Sequence, residues 1–143
     1  RRRLSYGRHE AGRRAGYRAG LMITGLHHVQ LAMPEAGEEQ AREFYSELLD
    51  IPERTKPATL QANGGCWFEK EQVRVHLGIE RDFRPAKKAH PAFQASDFHN
   101  LMEKLKNAGY RIQSAEPVDH HSRFFVNDPF GNRIEFINAE SEF

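Results

Sequence analysis

The sequence predicts an α+β fold in which two β-α-β-β-β units, covering about residues 25–80 and 89–139, form a curved, half-open mixed sheet around a cavity, with the helices on the outer face. Three observations carry this expectation. The order strand, helix, strands occurs once from Gly25 and again from Ala89. The strand segments alternate apolar and polar residues with a period of two, and the two helical segments carry apolar residues at helical spacing.

In the first unit, Leu26 to Met33 sets Val29, Leu31 and Met33 on one face and His28, Gln30 and Ala32 on the other, and Pro34 ends the run. Glu38 to Leu49 places Ala41, Phe44, Tyr45, Leu48 and Leu49 on one helical stripe, with acidic residues in the first turn where the helix dipole favours them. After a polar stretch, Cys66 to Glu69 and Gln72 to Ile79 read as strands turned at Lys70 and Glu71. The longer one points Val73, Val75, Leu77 and Ile79 to one face, so Arg74, His76 and Gly78 take the other. A charged link from Glu80 to Lys88 joins the halves.

The second unit repeats the pattern. A strand from His90 to Ala95 precedes a helix from about Asp97 to Ala108, with Ser96 as the expected N-cap, Leu101, Met102 and Leu105 as its stripe, and Gly109 as its stop. Strands at Arg111 to Ser114, Arg123 to Asn127 and Asn132 to Asn138 follow, the last two joined through Asp128-Pro129-Phe130-Gly131, whose residues suit a tight turn.

Bulk composition narrows the function classes. At 143 residues the chain has room for one ordinary domain, placed at 22–143. No run is long and apolar enough for a membrane helix, so no membrane partner is expected. One cysteine, Cys66, cannot form an internal disulfide, and a reducing cytoplasm is the expected location. Residues 1–21 carry seven arginines against Glu10. Removing them from the totals of 21 basic and 20 acidic residues leaves 14 and 19, a net of −5, which argues against a nucleic-acid partner for the domain. This Arg-rich leader is expected to be disordered or non-native and to add nothing to the fold.

Four strands each carry a potential metal ligand on the face opposite their aliphatic residues: His28, His76, His90 and Glu135. His28 and His90 open their units, while His76 and Glu135 lie in the last strands, so a pseudo-twofold axis would gather all four around the cavity. Imidazoles with one carboxylate and open water positions suit one divalent ion, Fe, Mn, Ni, Co or Zn. Arg123, Gln30 and Trp67 are weaker candidates for contact with a small-molecule substrate, Arg123 through an anionic group.

The segments Gly25-Leu26-His27-His28-Val29, Phe44-Tyr45, Ala89-His90-Pro91-Ala92-Phe93 and Asp128-Pro129-Phe130-Gly131-Asn132-Arg133-Ile134-Glu135 resemble those of the vicinal oxygen chelate superfamily, which groups glyoxalases, bleomycin-resistance proteins and extradiol dioxygenases. The resemblance covers Gly25 to Ala139. It implies metal ligation by His28, His90 and Glu135, with His28 taken over His27 because His28 alone falls on the cavity face. Where glyoxalase I relatives carry a fourth ligand, a glutamate, this chain has His76, which departs from a literal glyoxalase I pattern. His76 then stands either as a third imidazole ligand or as a general base, and Glu135 as a ligand in contact with the reaction. The implied function is metal-dependent lyase, isomerase, transferase or dioxygenase chemistry on a small oxygen-bearing substrate, in a homodimer with the site either within one chain or across two. The competing class is a non-catalytic binding protein that sequesters a small molecule or antibiotic, as bleomycin-resistance relatives do.

Overall fold

The computed structural model describes residues 20–142. The expectation for the Arg-rich leader falls on residues 1–19, with the exception of its last two residues, and so lies outside the described part.

The first half comprises β1 (Val29–Met33), α1 (Glu38–Ala41), β2 (Glu53–Arg54), a short α2 (Ala58–Gln61), β3 (Cys66–Lys70) and β4 (Val73–Ile79). The second comprises β5 (Ala92–Ala95), α3 (Phe98–Asn107), β6 (Gln113–Val118), β7 (His121–Asn127) and β8 (Arg133–Asn138). Each half builds a four-stranded mixed sheet, in the orders β1-β4-β3-β2 and β5-β8-β7-β6. The outer pair β1·β4 is parallel, as is its counterpart β5·β8, and the remaining pairs are antiparallel. The α+β architecture of two repeated units is therefore present, as two open sheets that do not close into a barrel.

The aliphatic faces of both sheets feed one core. Leu31, Met33, Phe68, Val75 and Leu77 from the first half join Phe124, Val126, Ile134 and Phe136 from the second. The helical segments add Ala41, Phe44, Tyr45, Phe98 and Leu105 to the same cluster. Alternation along the strands then turns His76 and Glu135 to the faces away from that core. The helices and the candidate ligands thus occupy opposite faces of the sheets.

Several element limits differ from the expectation, for identifiable reasons. Expected to run unbroken from Glu38, the first helix widens after Ala41 into π-helical turns over Arg42–Leu48, and the Leu49 N–H reaches back five residues to the Phe44 carbonyl. Pairing with β4 starts only at Val29, leaving His28 just before β1. Pro91 has no N–H for a ladder, so β5 begins at Ala92 while the Pro91 carbonyl accepts from the Glu135 N–H. Asp97 rather than Ser96 occupies the N-cap of α3, and its side chain makes no capping bond there. The expected strand at Arg111 to Ser114 is displaced to β6, and β7 starts at His121, ahead of the expected Arg123. Gly109 does end α3, at φ +93°, where an L side chain would be strained.

The two halves are latched by the turn between β7 and β8. Tyr45 donates its hydroxyl proton to Asp128 Oδ2 at 2.7 Å, and Asp128 Oδ1 accepts from the backbone N–H groups of Phe130 and Asn132. Asn132 donates to the Ala32 carbonyl at the end of β1 and accepts from the Ala86 N–H in the link. Burial pushes the Asp128 carboxyl up despite hydrogen bonds from Tyr45 and Asn132 that favour its charged form.

Candidate metal centre

The parallel register of β1 with β4 aligns Gln30 with His76, and that of β5 with β8 aligns Ala92 with Glu135. His28 and His90, each just ahead of the first strand of its half, reach back toward these central positions. The result is two pairs. The rings of His28 and His76 stack with centroids 4.4 Å apart and planes 19° from parallel. His90 Nε2 lies 3.1 Å from Glu135 Oε1. Among the described residues no group of three or more His, Cys, Asp or Glu side chains comes close enough to hold an ion, so a single chain does not gather all four candidates.

The second pair has the chemistry a cation requires. His90 Nδ1 donates to the Lys88 carbonyl at 2.9 Å, because a carbonyl can only accept. In a neutral imidazole that bond leaves the Nε2 lone pair facing the Glu135 carboxylate. Two acceptors 3.1 Å apart repel unless a proton or a metal ion lies between them. Ligand atoms about 2 Å from a common ion sit roughly 3 Å from each other, so the spacing fits metal ligation. The carbonyl that fixes the tautomer is the kind of partner that metal-bound histidines use on their other nitrogen.

Arg123 Nη1 lies 3.3 Å from the same Glu135 Oε1, and Arg123 Nε donates to the Glu116 carbonyl at 2.7 Å. The arginine therefore borders the candidate centre. Phe125, paired with Glu135 across β7·β8, meets His90 edge to face at 5.2 Å and carries the Arg133 guanidinium 3.8 Å above its ring. Arg133 was not singled out by sequence, although alternation along β8 puts it on the face of Glu135.

The first pair is built differently. His27 Nδ1 and His28 Nδ1 share a hydrogen bond at 2.9 Å, which leaves His28 Nε2 as the ring nitrogen outside that contact. His76 is 4% exposed and packs between two rings, with Trp67 on its other side at 4.2 Å and only 6° from parallel. Its Nε2–H donates to Glu69 Oε2 at 3.1 Å. Burial pulls the His76 imidazole below its ordinary range, against its hydrogen bond to Glu69. Burial would raise Glu69, but the hydrogen bonds from Arg54 and His76 outweigh it and hold that carboxyl low. Arg54 Nη1 and Arg74 Nε sit 2.9 and 3.5 Å from Glu69 Oε1.

Glu69 escaped the sequence reading, although a signal was available. Cys66 and Phe68 enter the core, so Trp67 and Glu69 must face the other way, and the register sets Trp67 beside His76. Gln30 is exposed, and its side chain lies over Gly78, where a Cβ would collide with it.

No curated protein matches the sequence. Among solved structures, a protein from Bacillus anthracis described as of the glyoxalase family is 42% identical, with 82% of this chain and 97% of that one covered and a TM-score of 0.78. A glyoxalase/dioxygenase from Nostoc punctiforme shares the fold at 22% identity, with 80% and 90% covered and a TM-score of 0.65. The fosfomycin resistance protein FosX from Listeria monocytogenes shares it at 16% identity, with 85% and 98% covered and a TM-score of 0.66. Residues 25–136, which span both halves, match the Glyoxalase/Bleomycin resistance protein/Dioxygenase superfamily, and the chain belongs to that superfamily.

Proposed function

We propose that the protein is a metal-dependent enzyme acting on a small oxygen-bearing substrate, with His28, His90 and Glu135 as ligands and the site completed between two copies of the chain. The observation that carries this reading is the His90–Glu135 pair, in which the Lys88 carbonyl holds His90 Nδ1 and leaves Nε2 facing the carboxylate at 3.1 Å. A divalent ion there would act as a Lewis acid, polarising substrate oxygens and stabilising an enolate or oxyanion. Arg123 would neutralise and orient an anionic substrate group beside Glu135.

Assembly across two copies is supported by three features. Within one chain the His28 pair and the His90–Glu135 pair stay apart. Strands β1 and β5, next to which His28 and His90 lie, are each at a sheet edge, where a strand from another chain can add. Leu21, Met22, Ile23 and Leu26 lead into β1 with 54%, 100%, 83% and 78% of their surface exposed, an apolar stretch of the kind that marks an association surface.

Elemental analysis of the protein, purified without an affinity metal column, tests the reading. Near-stoichiometric metal in the parent and none in a His90→Ala, Glu135→Ala double variant is the expected result. It would justify screening α-ketoaldehydes, catechols and epoxides. No metal in either protein after supply of Fe(II), Mn(II), Ni(II), Co(II) and Zn(II) would overturn it in favour of a small-molecule binding protein. Co-expression of His28→Ala and Glu135→Ala chains tests the shared site. A mixed dimer regains one complete set, so metal should return in the mixture though absent from each variant alone; a site within one chain would gain nothing.

A further inference from the structure

We propose that His76 is a positioning residue that fixes the ring plane of His28, rather than a second imidazole ligand beside it. The inference rests on the metal reading above for its consequence, and on ring geometry alone for its substance.

A metal ion bound to an imidazole lies close to the plane of the ring, about 2 Å from the ligating nitrogen. The His28 and His76 rings are stacked face to face, 4.4 Å between centroids and 19° from parallel. Planes so related meet only roughly 10 Å away from the rings, far outside the ~2 Å reach of a metal–nitrogen bond. One ion cannot serve both imidazoles in this arrangement. His76 is moreover enclosed on its far side by Trp67, at 4.2 Å and 6°, and tied at Nε2 to Glu69.

Those restraints give His76 a different use. Trp67 and Glu69 both come from β3, a central strand of the sheet, and Glu69 is in turn held by Arg54 and Arg74. Tryptophan, carboxylate and sheet together make His76 a fixed plate. His28 precedes β1, is exposed, and has no ladder partner of its own in β4. Stacking on the plate fixes one rotational freedom of its ring, and the hydrogen bond from Nδ1 to His27 fixes the other. A ligand on an exposed segment is thereby oriented before the ion arrives, which lowers the ordering cost of binding.

Replacing the ring while keeping its shape separates the two roles. In metal-free protein, proton NMR of the His28 ring, assigned by its disappearance in His28→Ala, should show ring-current shifts that persist in His76→Phe and vanish in His76→Ala. Titration with Co(II) should give His76→Phe an affinity within about 3-fold of the parent and His76→Ala one at least about 10-fold weaker, the range typical of partners that orient a ligand. Glu69→Ala, which removes the acceptor from His76 Nε2 but keeps the stack, should fall between them and serves if His76→Ala does not fold. Loss of Co(II) binding in His76→Phe as complete as in His28→Ala would overturn the proposal, because it would make His76 a ligand. Unchanged His28 shifts in His76→Ala would overturn it as well. If the parent itself takes up no Co(II), the metal reading fails, and the ring shifts alone still decide whether His76 holds His28.

Discussion

The faces of the two sheets turned away from the core offer a controlled comparison, since the halves share strand order and register yet carry different chemistry. His76 pairs with Trp67, as Glu135 pairs with Phe125, so each central position has an aromatic neighbour. Arg74 and Arg133 occupy equivalent places, opposite Glu69 and Asn127 respectively. In the second half the carboxylate stands in the central strand and faces His90. In the first half it has moved to β3, where two arginines neutralise it and the central position is an imidazole. Under the proposed metal reading the difference would divide the labour: one face would offer an imidazole and a carboxylate to an ion, and the other a single imidazole with the stack that orients it.

The core faces can be compared in the same way, and they yield the largest expected effect. Cys66 is aligned with Leu77 as Phe124 is aligned with Phe136, so Cys66 and Phe124 hold equivalent positions in the shared core. Phe124 is fully buried against Phe98 and Phe136. Phe124→Ala should cost about 3–5 kcal/mol in denaturant unfolding, as truncation of a buried aromatic ring does. Because one core serves both halves, the loss should move a single transition. Two separated transitions would show that the halves unfold independently.

Next in size is the latch between the halves. Asp128 accepts from the Tyr45 hydroxyl, two backbone N–H groups and Asn132 Nδ2, all donors. Asp128→Asn turns an amide NH2 toward one set of these donors, and the variant should lose about 1–3 kcal/mol, the penalty for a buried polar group without its partner. The sign of the pH effect also follows. A carboxyl raised on folding favours the protonated form, so its contribution is complete below the ordinary value of 3.8 and is lost as pH rises through the folded value. The asparagine variant should lack that decline, measured by urea midpoints across the acid range.

How far the sequence could be read follows from which forces set each feature. Strand alternation is local, and it correctly separated Leu31, Val75, Leu77, Ile134 and Phe136 from His76 and Glu135. The repeat of β-α-β-β-β was visible for the same reason. Limits such as the start of β5 depend on which backbone groups find partners across the sheet, and Pro91 moved that one. The π-helical widening after Ala41 depends on tertiary packing around Phe44 and Tyr45, which helical spacing does not encode. For the candidate site, face and strand were legible for His76 and Glu135, while His28 and His90 lie just ahead of the strands expected to hold them, and partnership was legible for none of the four. Whether an imidazole meets another edge-on around an ion or flat in a stack is decided by rotamers and by neighbours such as Trp67 and Glu69, several strands away in space.

The smallest expected effect returns to Cys66, the counterpart of Phe124. Its thiol is 2% exposed, and burial, aided by the charge of Glu53, pushes it up to about 11. The thiolate is the reactive form, so at neutral pH the side chain should behave as a small apolar filler. Reaction with a disulfide reagent in native buffer should therefore be slow and should accelerate when urea unfolds the chain. For stability, a thiol raised on folding contributes fully below its ordinary value of 9.0, and the contribution is lost as pH climbs through about 11. Cys66→Ala should cost only about 1 kcal/mol near neutrality, roughly the transfer energy of the atoms removed. It should also soften the alkaline decline without abolishing it, because Tyr45 is raised by burial in the same core and titrates in the same direction. Rapid labelling of the native thiol at neutral pH would mean that the first half opens locally around β3 while the Phe124 side stays closed, and the shared core would then be weaker on the side where the smaller residue stands.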